Sequence, residues 1–364
     1  MAEKKILNVA VIGLRHLHPR AYMPLFEDCK FTKVVCAFEE KTEVLESFCK
    51  DFNVKGYTEL NQMLAKETID IAAIFLPHCD CANAAIKCAQ KGIHLMVEKP
   101  IAESSASVKK VIAAAKKYNV KLTTCYCWRY HPVIVAMKKI MNEGVLGEIV
   151  SVEARLAAGR VDRYIAGNSE WMLQKKKSGG GPLYNLGVHW IDLLHYLLGD
   201  DIDQVCAINT KTSDAYDIED NSIAMLKFKR GTTGVLSTSY IVPACFPCGR
   251  DLYIGIKGTK GVLSYCPKYE GEGGSGSTAQ TDILEVYSDS EKQAGSSVRK
   301  LSFQLDKVQG YSGYMGKAYL GGFVDAIFKN KQPFITGNEA VSVLNVVEAI
   351  YKSDEQIKWV KVRK

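Results

Sequence analysis

Over its first 125 residues the chain alternates short β-branched runs with helical patterns of ten or more residues, and few architectures accommodate that rhythm. Parallel strands need a long crossover between them, ordinarily a helix. The strand-like runs are 7–12, 33–38, 71–75, 94–97 and 121–124, and the helical patterns between them are 41–52, 81–91 and 104–118. Ser104 or Ser105 is a natural N-cap for the last helix, and Asn119 stands near its end. A doubly wound parallel sheet is expected.

From Glu148 the period becomes two. Ile149, Ser151, Glu153 and Arg155 fall on one parity, and Val150, Val152, Ala154 and Leu156 on the other. Further runs at 223–229, 234–241, 252–257, 261–265, 283–287 and 300–305 are joined in several places by glycine-containing turns. Helical patterns interrupt at 182–198, with Gly199 as a C-cap candidate, and close the chain at 313–329 and 339–353. The Gly/Ser-rich stretch 271–277 reads as a hairpin loop. The expected organisation is α/β overall: a doubly wound domain at 1–125 and an α+β domain at 126–364, with the active site at their junction.

Composition excludes several classes. With 47% hydrophobic and 24% charged residues and no apolar run of about 18, the chain reads as neither disordered nor membrane-spanning. The start of the sequence carries no apolar signal region, so a reducing cytosol is expected, with the twelve cysteines as thiols. The net charge of +7 is a weak bias, and Lys175-Lys176-Lys177 lacks interleaved aromatics, so a solvated loop is favoured and no nucleic-acid partner is expected.

Three segments carry chemistry. The first strand ends in Gly13, where a dinucleotide fold makes its tight turn, followed by Leu14-Arg15-His16-Leu17-His18-Pro19. Arg15 and His18 stand where further glycines are usual, and helix N-terminal amides with Arg15 can still hold a phosphate. Glu39, twenty-six residues after Gly13, is placed to accept a ribose diol and repel a 2′-phosphate, favouring NAD over NADP; its plainer reading is a capping or surface acid. Val97-Glu98-Lys99-Pro100 sets a lysine at the carboxyl end of a strand, where open α/β sheets bind ligands. In Gly179-Gly180-Gly181-Pro182-Leu183-Tyr184-Asn185-Leu186-Gly187-Val188-His189, a helix starting near Pro182 puts Asn185 and His189 on one face, with His189 as candidate base or, more plainly, a structural histidine. His16-x-His18, Cys79-x-Cys81, Cys125-x-Cys127 and Cys245-x-x-Cys248 match no paired zinc spacing, and no metal is expected.

In this order the segments resemble the Gfo/Idh/MocA oxidoreductase family, together with Trp128-Arg129-Tyr130-His131-Pro132, Gly144-Val145-Leu146-Gly147-Glu148-Ile149 and the tail from Phe323 through Pro333 and Gly337. The resemblance implies a Rossmann domain plus a domain with a large, mostly antiparallel open sheet. It further implies hydride transfer between nicotinamide and a secondary hydroxyl or ketone of a sugar, glycoside or cyclitol, and a homo-oligomer built through the open sheet. By resemblance, Lys99 and His189 are catalytic. Lys99, Asn185, His189 and Tyr126 contact substrate, and Gly13, Leu14, Arg15, His16, Glu39, Leu76, Pro77, His78, Glu98, Lys99 and Arg129 hold the cofactor. The sequence departs from the family pattern in the crowded turn after Gly13, in Asn185 where Asp is common, and in Cys81 where His is common. A binding protein with decayed redox activity and a lyase or glycosidase using transient oxidation are the other open readings.

Overall fold

The computed structural model describes residues 5–243, 245–246, 249–267, 280–293 and 295–363; the hairpin expected at 271–277 and the second cysteine of the 245–248 pair lie outside them. The first half runs β1 (Leu7–Ile12), α1 (Pro19–Asp28), β2 (Thr32–Phe38), α2 (Thr42–Phe52), β3 (Lys55–Tyr57), α3 (Leu60–Lys66), β4 (Ile71–Ile74), α4 (His78–Gln90), β5 (His94–Val97), α5 (Ser105–Lys117) and β6 (Leu122–Thr124). Its six strands are all parallel, in the order β3-β2-β1-β4-β5-β6. The order reverses between β1 and β4, which opens a crevice at their carboxyl ends. Every residue of β4 is buried, as expected of a strand covered by helices on both faces. Ser104 caps α5 by accepting the Ser107 amide, as its position suggests.

A 3₁₀ turn (Cys127–Tyr130) leads to α6 (Pro132–Asn142), β7 (Ile149–Ala158), α7 (Asp162–Ala166), a second 3₁₀ turn (Glu170–Leu173) and α8 (Lys175–Ser178). A π-helical turn (Leu183–Gly187) then runs into α9 (Val188–Leu198), which Gly199 closes in the left-handed region. The rest is β8 (Ile202–Thr210), β9 (Asn221–Phe228), β10 (Thr233–Ser239), β11 (Arg250–Gly258), β12 (Gly261–Tyr265), β13 (Gln280–Ser288), β14 (Val298–Leu305), α10 (Tyr314–Phe328), α11 (Gly337–Gln356) and β15 (Val360–Lys361). Nine strands form one sheet, β14-β13-β12-β11-β7-β10-β9-β8-β15, antiparallel throughout except for the β7–β10 pair. Helices α9 and α11 pack on one face. The other face presents Ile208, Ile223, Met225 and Val235 to solvent.

Two polar contacts fix the halves to each other. Glu348 on α11 accepts the Ser105 amide and hydroxyl at 2.7 and 3.0 Å, satisfying the start of α5 from outside. Arg129, just past β6, forks onto Asp192 of α9 at 2.8 and 2.6 Å, with Glu339 at 3.6 Å. Arg129→Met leaves the Asp192 carboxylate buried without its counter-charge and is expected to cost about 3–5 kcal/mol of unfolding free energy, most of it recovered by adding Asp192→Leu. Urea denaturation of the two variants checks this; a single variant within about 1 kcal/mol of wild type contradicts it.

Candidate active site

The crevice is shaped first by Gly13. At φ +88° it adopts a conformation most side chains avoid, and a Cβ there would lie 2.8 Å from the Leu76 amide nitrogen. Backbone can therefore pass closely at the β1–β4 switch point. Glu39, 2% exposed, accepts the Leu14 amide at 2.9 Å, the Arg15 Nε–H at 2.9 Å and the Lys41 amide at 3.1 Å. The acid expected to meet a ribose is thus already engaged by its own turn. Beyond α7 the chain lies across this turn: the Trp171 indole donates to the Arg15 carbonyl at 2.5 Å, and a Cβ on Gly167 would meet Leu17 at 2.3 Å. His78, at the start of α4, donates Nδ1–H to the Ser178 carbonyl at 2.6 Å.

Lys99, 2% exposed, donates to Asn185 Oδ1 at 2.5 Å and to the Asn185 carbonyl at 2.8 Å. Asn185 lies in the π-helical turn, a departure from the α-helical ladder that often marks functional sites. His189 follows it on α9 and is buried, with Nδ1 unpartnered among the described residues. A cavity of about 860 Å³ is lined by His16, His18, Lys99, Asn185 and His189 on these elements and by Arg163, Tyr164 and Arg250 beside them, a size that suits a small-molecule ligand.

Not every expected residue reaches this cavity. Tyr126 is fully buried behind His189, ring to ring at 6.2 Å and edge-on, and Arg129 is spent on Asp192. Cys81 turns its thiol to the Leu76 carbonyl at 3.2 Å. Conversely, sequence reasoning passed over Arg163, Tyr164 and Trp171. A lone Trp in a polar stretch just before the glycine run was the only signal for the last.

Burial dominates the electrostatics. It lowers the pKa of Lys99, against the pull of Glu98, and pushes His16, His18 and His189 well below their usual value, with Lys99 adding to the effect on His18 and His189. His16, His18 and Glu98 bring one ligand atom each within 4.8 Å, so the His-x-His pair finds a carboxylate that its spacing did not reveal. Yet His16 Nδ1 accepts the His18 amide at 3.1 Å, which puts the ring's proton on Nε2 and makes that atom a donor into the crevice. His18 Nδ1 lies 3.3 Å from Glu98 Oε2 and the Lys99 ammonium 3.9 Å from Glu98 Oε1, contacts that are not hydrogen bonds; with Nε2 of His16 also without a hydrogen bond among the described residues, the crevice offers hydrogen-bonding groups to a polar ligand. Together with the tight, side-chain-free turn at Gly13, these residues fit a dinucleotide.

Residues 7–126 match a model of the Gfo/Idh/MocA oxidoreductases described as the NAD-binding Rossmann fold, and residues 138–362 match the model of the C-terminal alpha/beta domain. Levoglucosan dehydrogenase of Pseudarthrobacter phenanthrenivorans is 26% identical over 299 residues, 71% of this chain and 73% of that protein. Myo-inositol 2-dehydrogenase of Thermotoga maritima is 23% identical over 315 residues, 85% and 84% of the two chains. An Amycolatopsis mediterranei protein, named provisionally as the oxidoreductase subunit of a UDP-kanosamine synthase, is 30% identical over 196 residues, 53% of this chain and 52% of its own length. The chain thus spans about half the length of that relative, and 62% of an uncharacterised oxidoreductase of Schizosaccharomyces pombe. Among solved structures, levoglucosan dehydrogenase in complex with NADH and levoglucosan gives a TM-score of 0.81 at 20% identity over 99% of this chain and 100% of that one, a likeness of fold.

The buried histidines carry a stability consequence. Their folded pKa values lie below 6.5, that of His78 at about 4, so the unfolded chain binds protons that the fold excludes. Stability is therefore full above pH 6.5 and falls as pH drops towards the folded values, with a slope of at most about 1.4 kcal/mol per pH unit for each histidine, partly offset by Asp192, whose buried carboxyl is raised to about 6. Urea unfolding between about pH 7 and pH 5 is expected to follow this slope; stability that holds or rises on acidification contradicts it.

Proposed function

The chain belongs to the Gfo/Idh/MocA oxidoreductase family, and from that premise we propose that it moves a hydride between nicotinamide and a secondary hydroxyl or ketone of a sugar or polyol. The observation that carries the proposal is the convergence of Lys99, Asn185 and His189 on one cavity that reaches the Rossmann turn at His16. When bound, the nicotinamide supplies the hydride chemistry. Gly13 would admit its diphosphate, and Glu39 would favour NAD(H) over the 2′-phosphorylated form. Glu98, beside His18 and Lys99, would be among the residues that hold the cofactor.

Lys99 spends two N–H groups on Asn185, leaving the third for a substrate hydroxyl oxygen. A buried ammonium there stabilises an alkoxide as it forms, and the neutral imidazole of His189 takes the hydroxyl proton or returns it in the reverse direction. Asn185 is an amide and moves no proton. It aims the ammonium, and its Nδ2–H donates to the Tyr164 hydroxyl at 2.6 Å, which holds the amide in one orientation. Trp171 and Leu17 close over the turn after Gly13, and this cover favours a cofactor that stays bound through turnover. The exposed apolar face of the nine-stranded sheet supports a homo-oligomer built through it.

Lys99→Met and His189→Ala are each expected to lower kcat/KM by about 10²–10⁴-fold, with NADH affinity, read from nicotinamide fluorescence, nearly unchanged. Unchanged turnover in either variant removes that residue's role, and wild-type protein that binds no NADH contradicts the proposal as a whole.

A further inference from the structure

Arg163, on α7, is a cation with no ion-pair partner among the described residues. Its Nη2–H donates to the Tyr164 hydroxyl at 2.6 Å, its Nε is buried with no partner, and among the described residues no carboxylate lies within ion-pair distance of it. The guanidinium lies flat against Gly159, where a Cβ would meet Cζ at 2.7 Å, and over the Tyr164 ring, with 4.8 Å from Cζ to the centroid. Gly159 sits at φ +67°, so the backbone itself makes room for the fork. Burying a charge is costly unless something pairs with it. The cavity in front adds Lys99 and Arg250, and its described lining residues include no Asp or Glu.

We propose that the substrate carries an anionic group, a carboxylate or a phosphate ester, and that Arg163 receives it while Lys99 and His189 address the hydroxyl. The anion site is part of the same construction as the catalytic one. The Tyr164 hydroxyl accepts from Arg163 on one side and from Asn185 on the other, and Asn185 in turn accepts from Lys99. The two cations are therefore held at opposite ends of one rigid chain of hydrogen bonds, which suits a ligand with an oxyanion at one end and a carbinol at the other. Position along the cavity separates this anion from a cofactor diphosphate. Arg163 also lines a neighbouring recess with Val242, Pro243 and Gly249, on the sheet side, whereas the Gly13 turn reaches the cavity through His16 and Leu17. A planar fork beside an aromatic ring is well matched to carboxylate or phosphate oxygens.

The inference rests on the proposed oxidoreductase reading for the identity of the hydroxyl end, but its test needs no turnover. Titration calorimetry on the wild-type protein would compare D-glucuronate with its methyl ester, and D-glucose 6-phosphate with D-glucose. The expected result is that at least one anion binds roughly tenfold or more tightly than its neutral counterpart. The first pair identifies a carboxylate site and the second a phosphate site. In Arg163→Met that ratio falls to about one while NADH affinity is retained. The free variant keeps its melting temperature, since a half-buried charge with no ion-pair partner among the described residues has been removed. Arg163→Lys, which keeps the charge and loses the fork, carries the comparison if the Met variant does not fold and is expected to keep only part of the preference. The inference is overturned if neither anion is preferred, if the preference survives in Arg163→Met (or survives whole in Arg163→Lys), or if Arg163→Met loses NADH affinity and keeps its sugar discrimination. Absent hydride transfer with an intact anion preference would count against the oxidoreductase reading alone.

Discussion

Lys99 is 2% exposed and carries a charge that water would otherwise solvate, so its surroundings must replace that water. Asn185 does so with two oxygens, one from the backbone and one from the side chain, reaching across 86 positions of sequence. The requirement propagates outward. Asn185 must sit on a turn that presents both oxygens to one point, and the π-helical segment ahead of α9 supplies it. Three glycines precede that turn because there is no room for side chains: a Cβ on Gly180 would lie 1.9 Å from the Tyr351 hydroxyl, and one on Gly181 the same distance from the Glu219 carbonyl. Arg129 and Asp192 then hold α9 against the end of the parallel sheet, keeping the two partners of the ammonium in register.

The same burial sets the sign of the whole cavity. Imidazoles at 16, 18 and 189 stay neutral because desolvation and the neighbouring ammonium both oppose their charging. Neutral histidines can accept a proton, whereas Lys99 and Arg163 are left as the positive poles. For the anionic substrate proposed above, a site built in this way matches the charge the ligand brings and the charge that would develop as a hydroxyl is deprotonated.

Much of this was legible in the sequence because its signals are local. The edges of β1 and β5, the N-cap at Ser104 and the closure at Gly199 follow from periodicity and capping chemistry acting within a few residues. The strand β3 was missed, since three residues cannot display a period, and so was α3, whose seven residues span only about two turns; α6 was missed because its Pro-Val-Ile-Val start reads equally as a strand. At the site, Lys99 and His189 stood out through their motifs. Arg163 did not, because nothing in Asp162-Arg163-Tyr164 announces that no carboxylate of the described residues pairs with it, which depends on tertiary placement. Glu39 was recognised by its distance from Gly13, but its engagement by Arg15 depends on a side-chain conformation that spacing does not encode.

Hydride transfer at this cavity has one direct measurement. The protein would be incubated with NAD and a panel of sugars and sugar acids deuterated at their secondary carbinol carbons, and the nicotinamide then analysed by mass spectrometry. The account predicts that a single deuterium passes from carbon to the nicotinamide ring without exchange with water. Product formation with the label released to solvent, or no label on the ring with any member of the panel, would contradict it.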